Sequence, residues 1–289
     1  MFTRCATLLL VLTFLGSAAR TSGQVLRLRA TQCDVDIAGN LYVLDSDRNT
    51  LLLYDKSGVV QQAVGGSGWL DGQFDRPSAV WARNGIDVFV ADYGNHRIER
   101  FDRSLSFVSS LSTRESSNPD ERFGYPTDIA LSRMGELFIC DSENGRIVKV
   151  DRANRVERTF GGFGAGRGRL NAPTRIEVGP KDAVYVLDGD RIAVFDAFGN
   201  FQHDLLPGIL KHAAAMYGDQ DRLVVMESDT IYCFDRDERP SGTIMLAGIA
   251  PGVRSVRAIA VQGQALWLLA EGGIFFVADA LPSAPARKP

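Results

Sequence analysis

The feature that most constrains the fold is a short apolar segment, usually closed by an acidic residue, that recurs six times along the chain. Clear copies occupy residues 41–45, 88–92, 137–141 and 184–188, and weaker copies occupy 223–227 and 266–270. Successive copies begin 39 to 49 residues apart. Periods of roughly 20–50 residues are typical of solenoids, propellers and other repeat architectures. We therefore expect one repeating architecture to account for most of the chain.

Each repeat unit contains more than one strand. A second apolar segment follows each copy after a polar turn, most clearly at 97–102, 146–151 and 191–196, and a further segment precedes it. In three units a proline enters this preceding segment, at Pro77, Pro126 and Pro173. Aromatic and β-branched residues between Gly, Asn and Asp turns predict strands, and no window shows a helical period. Each unit therefore supplies about four short strands, which is the content of one propeller blade.

One unit resembles a known repeat family. Residues 92–98 (DYGNHRI), together with the upstream glycine loop 65–68 (GGSG) and the residues Gly72, Gln73 and Phe74, look like an NHL repeat. The resemblance is strong over residues 36–200 and weaker as far as 278. It implies a six-bladed propeller, and the six copies of the apolar segment agree with that number. We predict an all-β, six-bladed β-propeller of four-stranded blades over residues 20–278.

The two ends of the repeat region predict how the ring closes. The sixth unit stops at Val277 without an outer strand. Residues 25–29 alternate apolar and basic side chains, from Val25 to Arg29, and precede the first blade. We expect this N-terminal strand to complete the last blade, because it would also cover an exposed sheet edge that otherwise invites aggregation. Residues 279–289, rich in Pro and Ala, are expected to form a disordered tail.

The N-terminus has the pattern of a secretory signal. Arg4 precedes an apolar run from Ala6 to Leu15, and small residues follow as far as Ala19. This order of basic, apolar and small residues predicts a signal peptide over 1–19, cleaved after Ala19. The run is shorter than the roughly 20 apolar residues that span a bilayer. We therefore predict an exported protein, periplasmic or secreted, with no stable membrane insertion.

Charge and cysteine content limit the possible partners. The formal net charge is −3, which gives no reason to expect binding to nucleic acid. Beyond the predicted signal the chain has Cys33, Cys140 and Cys233, an odd number whose spacing matches no zinc site. Buried free thiols are the expected state of these residues.

Two motifs that suggest chemistry are explained by repetition. The glycine-rich segment 161–168 could pass for a phosphate-binding loop, but its glycines align with those of 65–72, so we interpret both as connectors between blades. The acids that close the apolar segments could form a carboxylate ring. Because each recurs at the same turn of its own blade, we expect it to bind turn amides or to pair with the arginine that follows (Arg97, Arg146 or Arg191).

The resemblance also implies two enzyme classes built on six-bladed propellers, zinc-dependent lyases and calcium-dependent lactonase-like hydrolases. The lyases use several channel histidines, and of His96, His203 and His212 only His212 lies near such a position. The hydrolases hold a cation with oxygen ligands from several blades. We tested the second class on the residues nine positions before each copy, which are Gln32, Ala79, Asp128, Arg175, Ala214 and Arg257.

One carboxylate against two guanidinium groups is a poor cation site but suits a polar or anionic group. We therefore predict a ligand-binding channel mouth formed by Gln32, Asp128, Arg175 and Arg257. The alternative for two of these residues is a salt bridge between Asp128 and Arg175 of adjacent blades. We predict no catalytic residue, metal ligand or cofactor. The expected function is an exported, non-enzymatic scaffold that recognises a protein, peptide or glycan through one face of the ring. The alternative is a metal-dependent propeller hydrolase or lyase.

Overall fold

The fold is a ring of six antiparallel sheets. The structure is a computed structural model that describes residues 22–26, 30–211 and 213–283, with the backbone alone for 22–26, 213 and 214. Within these residues, 24 strands form six four-stranded sheets. The predicted all-β, six-bladed propeller is therefore confirmed. The predicted signal peptide over 1–19 lies outside the described residues.

In blades 1 to 5 the four strands follow one another along the chain, and the first strands of neighbouring blades contact each other around the central axis. We number strands in chain order, with β1 (Ser22–Leu26) preceding blade 1. Blade 1 consists of β2 (Gln32–Val35), β3 (Leu41–Asp45), β4 (Thr50–Tyr54) and β5 (Val60–Gly65). Blade 2 consists of β6 (Ala79–Trp81), β7 (Asp87–Asp92), β8 (Arg97–Asp102) and β9 (Phe107–Leu111). Blade 3 consists of β10 (Pro126–Leu131), β11 (Leu137–Asp141), β12 (Arg146–Val150) and β13 (Val156–Phe160).

The remaining blades have the same order of strands. Blade 4 consists of β14 (Pro173–Val178), β15 (Val184–Asp188), β16 (Arg191–Phe195) and β17 (Phe201–Leu205). Blade 5 consists of β18 (Ala213–Gly218), β19 (Arg222–Glu227), β20 (Thr230–Asp235) and β21 (Pro240–Met245). Blade 6 begins with β22 (Ala258–Gln262), β23 (Ala265–Ala270) and β24 (Gly273–Val277). Short helical turns lie at Pro119–Glu121, Gly166–Gly168, Pro180–Asp182 and Leu246–Ile249.

The strand β1 supplies the outer edge of blade 6. It pairs antiparallel with β24, with Ser22 opposite Val277 and Leu26 opposite Ile274. This strand begins three residues before the predicted segment 25–29 and overlaps it at Val25 and Leu26. Residues 27–29 lie outside the described part of the chain.

The core is divided among the junctions between blades. Six buried apolar clusters each join the facing sheets of two neighbouring blades. The second strands β3, β11 and β15 are buried at every position, because both of their faces pack against a neighbour. This double burial explains why these strands appear in the sequence as continuous apolar runs instead of alternating ones.

The predicted disordered tail is wrong for its first residues. Ala280 and Leu281 are buried in the apolar cluster between blades 5 and 6. The Leu281 amide donates to the Gln264 carbonyl oxygen at 3.1 Å. Composition suggested disorder here, but the open end of the last blade junction leaves an apolar surface that these two side chains cover. Residues 284–289 lie outside the described chain.

The ring has two faces, which we name by their loops. The upper face carries the connectors between blades and the turns between second and third strands. The lower face carries the turns between first and second strands and between third and fourth strands. Each inner strand therefore starts at the upper face and ends at the lower one. None of the described helices has the length and hydrophobicity to cross a membrane.

Candidate functional site

The inner strands enclose a narrow channel along the ring axis. A cavity of about 20 Å³ lies in it, roughly the space that one water molecule requires. Three of the four predicted site residues line this cavity, namely Gln32, Asp128 and Arg175. They come from blades 1, 3 and 4 and lie near the upper ends of their strands. The structure therefore brings these three residues together, and it adds Arg83 and Glu177 to them.

The fourth predicted residue, Arg257, is exposed and does not line the cavity. Gln32 pairs with Leu44 in blade 1, whereas in blade 6 the partner of the equivalent Leu269 is Ala258. Ala258 therefore occupies the channel position that we assigned to Arg257.

A shorter turn causes this shift. The first strand of blade 1 ends with Val35 opposite Leu41, whereas in blade 6 Val261 lies opposite Leu266. The connecting turn of blade 6 is thus one residue shorter, and so is that of blade 5, where Gly218 lies opposite Leu223. Counting back a constant number of residues consequently missed the register in the last two blades.

Asp128 links two blades through backbone amides. One of its carboxylate oxygens accepts from the Ile129 amide at 3.0 Å, and the other accepts from the Ile176 amide of blade 4 at 3.0 Å. Burial raises the pKa of Asp128, and Arg175 opposes this shift. Asp128 and Arg175 therefore interact through their charges across the junction of blades 3 and 4, and the hypothesis of a salt bridge between them stays a prediction.

A buried ion-pair cluster fills the lower part of the channel. Its central residue is Arg83, at the end of the inner strand of blade 2. The Arg83 Nε donates to the Asp34 carboxylate of blade 1 at 3.1 Å. Its Nη1 and Nη2 atoms donate to the two Glu177 oxygens of blade 4 at 2.6 and 2.7 Å. Its Nη1 also donates to the Gly218 carbonyl of blade 5 at 3.1 Å, and the guanidinium stacks on the Tyr217 ring at 4.5 Å.

The Arg83 cluster, defined as Arg83, Asp34, Glu177 and Tyr217, therefore connects four blades across the axis. Burial raises the pKa of Glu177 to about 7, and Arg83 opposes this shift. Buried charges of this kind must be paired and hydrogen-bonded, because an isolated charge would be costly in the interior. Since the cluster occupies the axis, it closes the channel on the lower side.

The sequence also carries a signal for this cluster. Asp34 lies opposite Tyr42 and Glu177 lies opposite Tyr185, so the two carboxylates hold the same register in blades 1 and 4. In a ring of six blades, blades 1 and 4 face each other across the axis. Two acids within apolar inner strands at matching positions indicate a shared cation between them. Which residue supplies that cation can be seen only in the folded ring.

The acids that close the second strands have the predicted structural role. Asp92 pairs with Arg97 at 2.8 Å, and Asp141 pairs with Arg146 at 2.9 Å. In blade 4 the corresponding pair of Asp188 with Arg191 measures 3.0 Å. Each acid thus belongs to its own blade, and the prediction that these residues serve the fold is confirmed.

The arginine of blade 2 also fixes a connector on the upper face. The Arg97 guanidinium donates to the carbonyl oxygens of Trp69 at 2.8 Å, Leu70 at 3.1 Å and Gln73 at 2.7 Å. The side chains of Trp69 and Leu70 nevertheless point outward, with 78% and 61% of their surface exposed. A well-anchored backbone therefore presents a large apolar pair to solvent on the upper face.

The glycine-rich segments are connectors, as predicted. Residues 66–78 join blade 1 to blade 2, and 161–172 join blade 3 to blade 4. In each connector an apolar residue is buried between blades, Phe74 in the first and Leu170 in the second. Their amides close the loops by donating to Gly66 and Gly161 carbonyl oxygens at 2.9 and 2.7 Å.

The cysteines and histidines have structural contacts. Cys33, Cys140 and Cys233 are free and buried, as predicted, and burial raises the pKa of each thiol. The His96 ring packs on Tyr125 at 4.1 Å. His203 contacts Glu238 at 2.7 Å. Within the described ranges, no group of three His, Cys, Asp or Glu side chains is arranged to hold a metal ion, and His212 lies outside those ranges.

Comparison with known families and proteins agrees with this architecture. The family model for the NHL repeat matches residues 123–150, which comprise the entry to blade 3 and its first three strands. The protein brain tumor of Drosophila melanogaster is 30% identical over 149 residues, which are 50% of this chain and 14% of that protein. A probable peptidyl-alpha-hydroxyglycine alpha-amidating lyase of Caenorhabditis elegans is 32% identical over 83 residues, which are 28% of this chain and 24% of that protein. The alignments thus span less than a quarter of the length of either relative.

Solved structures share the fold at low sequence identity. Virginiamycin B lyase from Staphylococcus aureus superposes with a TM-score of 0.59 and 15% identity, over 88% of this chain and 83% of that one. A streptogramin B lyase structure gives a TM-score of 0.59 and 14% identity, over 89% of this chain and 86% of that one. The chain therefore contains an NHL repeat and folds as a six-bladed β-propeller.

Proposed function

We propose that this protein is a non-enzymatic binding scaffold that recognises a protein, peptide or glycan partner through its upper face. The observation that carries the proposal is the connector fixed by Arg97, which exposes Trp69 and Leu70 on a rigid backbone. Exposed tryptophan is characteristic of binding hot spots, because its large ring buries much area at little cost in conformational entropy. An anchored loop also loses little freedom on binding.

The channel also favours the upper face as the binding surface. Its lower part is filled by the Arg83 cluster, while Gln32 and Arg175 lie towards the upper opening. The forked donors of Arg175 suit a carboxylate or another polar acceptor of a partner. An upper-face partner would thus meet an apolar anchor at Trp69 and a cation near the axis.

The test is the substitution Trp69→Ala in the full chain, with capture of the partner from the exported fraction as the readout. Loss of a hot-spot side chain is expected to weaken capture by about 30-fold or more. The control is Ile86→Ala, which removes an apolar side chain that is 66% exposed on the lower face. Equal capture by wild type and both variants would contradict an upper-face site.

A metal-dependent hydrolase or lyase remains the second candidate, since two solved structures of this shape and one relative are lyases by name. Metal analysis of the purified protein separates the two functions. Stoichiometric bound calcium or zinc that is needed for turnover would overturn the binding proposal. The binding proposal predicts instead that partner capture is unchanged by a chelator.

We also propose that the protein is exported, periplasmic or secreted, on the strength of the predicted signal over 1–19. N-terminal sequencing of the exported fraction should then begin at Arg20. An intact chain starting at Met1 that stays inside the cell would contradict export.

A further inference from the structure

The junction between blades 3 and 4 departs from the repeat at two exposed positions. Arg158 lies opposite Lys149 in the outer strand of blade 3, and the equivalent residues of blades 1, 2, 4 and 5 are Gln62, Ser109, His203 and Gly242. Phe163, which is 85% exposed, occupies the connector position that is Ser67 between blades 1 and 2. Residues shared by the blades are explained by the fold, whereas these two are specific to one junction.

Both residues line a groove of about 630 Å³ between the two blades. This volume lies within the range of roughly 300–1,000 Å³ that is typical of ligand sites. The rings of Phe160, Phe195 and Phe201 form its apolar side, with centroids 4.9 and 5.8 Å apart. Phe163 adds an exposed aromatic wall, which the Arg169 guanidinium packs against at 4.6 Å.

The charges of the groove favour an anionic ligand. Its lining contains two guanidinium groups, Arg146 and Arg158, and no carboxylate. Arg146 is already bound to Asp141 and to a carbonyl oxygen. Arg158 makes one long contact, 3.4 Å to the Asn200 amide oxygen, so most of its donors are available. The nearby Asp196 accepts the amides of its own turn and also interacts electrostatically with Arg158.

A free sheet edge borders the same groove. The strand β13 is the last strand of blade 3, and its residues Arg158, Thr159 and Phe160 line the groove. An outermost strand presents alternate amide and carbonyl groups that no neighbouring strand uses. Extended peptides bind such edges by adding a strand, and side-chain pockets alongside give them specificity.

We propose that this groove, defined by Arg158, Phe163, Asn200 and the outer edge of β13, binds an extended acidic peptide that also carries an aromatic residue. The peptide backbone adds to β13, a carboxylate pairs with Arg158, and the aromatic side chain packs between Phe163 and the rings of Phe160, Phe195 and Phe201. The site extends from Phe163 in an upper-face connector to the outer edge of blade 3 and does not include Trp69, so it can be tested separately from the function proposed above.

The experiment uses fluorescence anisotropy with the full chain and the labelled hexapeptide Gly-Val-Asp-Phe-Glu-Val. Arg158→Gln and Phe163→Ser replace each residue by its counterpart at the first blade junction. Each is expected to weaken peptide binding by about ten-fold, because each removes one specific contact. A peptide with Lys in place of both acids is expected to bind at least about ten-fold more weakly. Added salt is expected to lower the affinity for the acidic peptide.

The matched control is Arg155→Gln, which removes another exposed arginine from the same blade outside the groove. It should leave the affinity unchanged, and all variants should keep the wild-type thermal transition, since the altered side chains are exposed. Equal affinity of the acidic and basic peptides, or equal affinity of wild type, Arg158→Gln and Phe163→Ser, would overturn the proposal. Partner capture that still depends on Trp69 would show in that case that only the groove inference had failed.

Discussion

At the centre of the ring, one guanidinium pairs with two carboxylates that come from opposite blades. Arg83 contacts Asp34 and Glu177 at hydrogen-bonding distance, and each of the three residues would be a costly isolated charge without the others. The inner strands have no further strand to pair with along the axis. Asp34 and Asp128 compensate for this, because each accepts an amide of its own blade and one of the next blade. Charged residues at the axis thus join the blades of the ring.

The substitution Arg83→Met tests this role. It leaves the two carboxylates without a counter-charge, so the free energy of unfolding is expected to fall by about 3–5 kcal/mol near pH 8. The pKa of Glu177 is already raised from 4.5 to about 7 by burial. A carboxyl whose pKa is higher in the folded state binds more protons when folded. Its contribution to stability therefore decreases as the pH rises between the two pKa values, 4.5 and about 7. Without Arg83 the stability should decrease more steeply with pH. The loss of stability in Arg83→Met relative to wild type should therefore be smaller near pH 5 than near pH 8.

Urea unfolding at both pH values measures the effect. The control is Arg100→Met, whose ion pair with Asp87 is partly exposed and is worth less than about 1 kcal/mol. A loss in Arg83→Met that is the same at pH 5 and pH 8 would show that the variant acts through packing instead of charge.

At the scale of the strand and the connector, the residue types of each element follow from how much of it is buried and by which neighbour. The second strands are apolar throughout because both faces are buried, whereas the outer strand β5 is exposed over its first four residues. The connectors are held by arginines that reach from a neighbouring turn, as Arg97 does for the Trp69 loop. The end of the last blade is covered by Ala280 and Leu281.

The substitution Leu281→Ala tests whether the segment after blade 6 belongs to the fold. Leu281 is 3% exposed, so its truncation is expected to lower the free energy of unfolding by about 2–5 kcal/mol. Ser283→Ala, at an exposed position two residues later, should change it by less than about 0.5 kcal/mol. Denaturant unfolding gives both values. Equal stability of the two variants would mean that the segment contributes nothing to the core.

These elements also show how far the sequence predicts the structure. The strands were predictable because burial on two faces leaves a continuous apolar run. The assignment of Arg257 to the channel was wrong because one residue is missing from a turn, and no sequence pattern marks that loss. The contact of Arg83 with Glu177 joins residues 94 positions apart, so it follows from the ring and not from any local pattern. The position of the tail depended on which apolar surface remained open.

The whole molecule is a ring whose axis is filled on one side and whose connectors stand out on the other. The Arg83 cluster connects blades 1, 2, 4 and 5, and the strand β1 joins the two ends of the chain in blade 6. Such a ring is a rigid platform. Its distinctive surface groups, Trp69 on the upper face and Arg158 with Phe163 at the junction of blades 3 and 4, lie in or beside the connectors.

Photocrosslinking tests partner binding through the upper face most directly. A photoreactive phenylalanine analogue would replace Trp69 in one form of the protein and Ile86 in another. Cells that express each form would then be irradiated. Binding through the upper face predicts a discrete crosslinked species from position 69 and none from position 86 on the lower face. Crosslinking from position 86 with none from position 69 would contradict it.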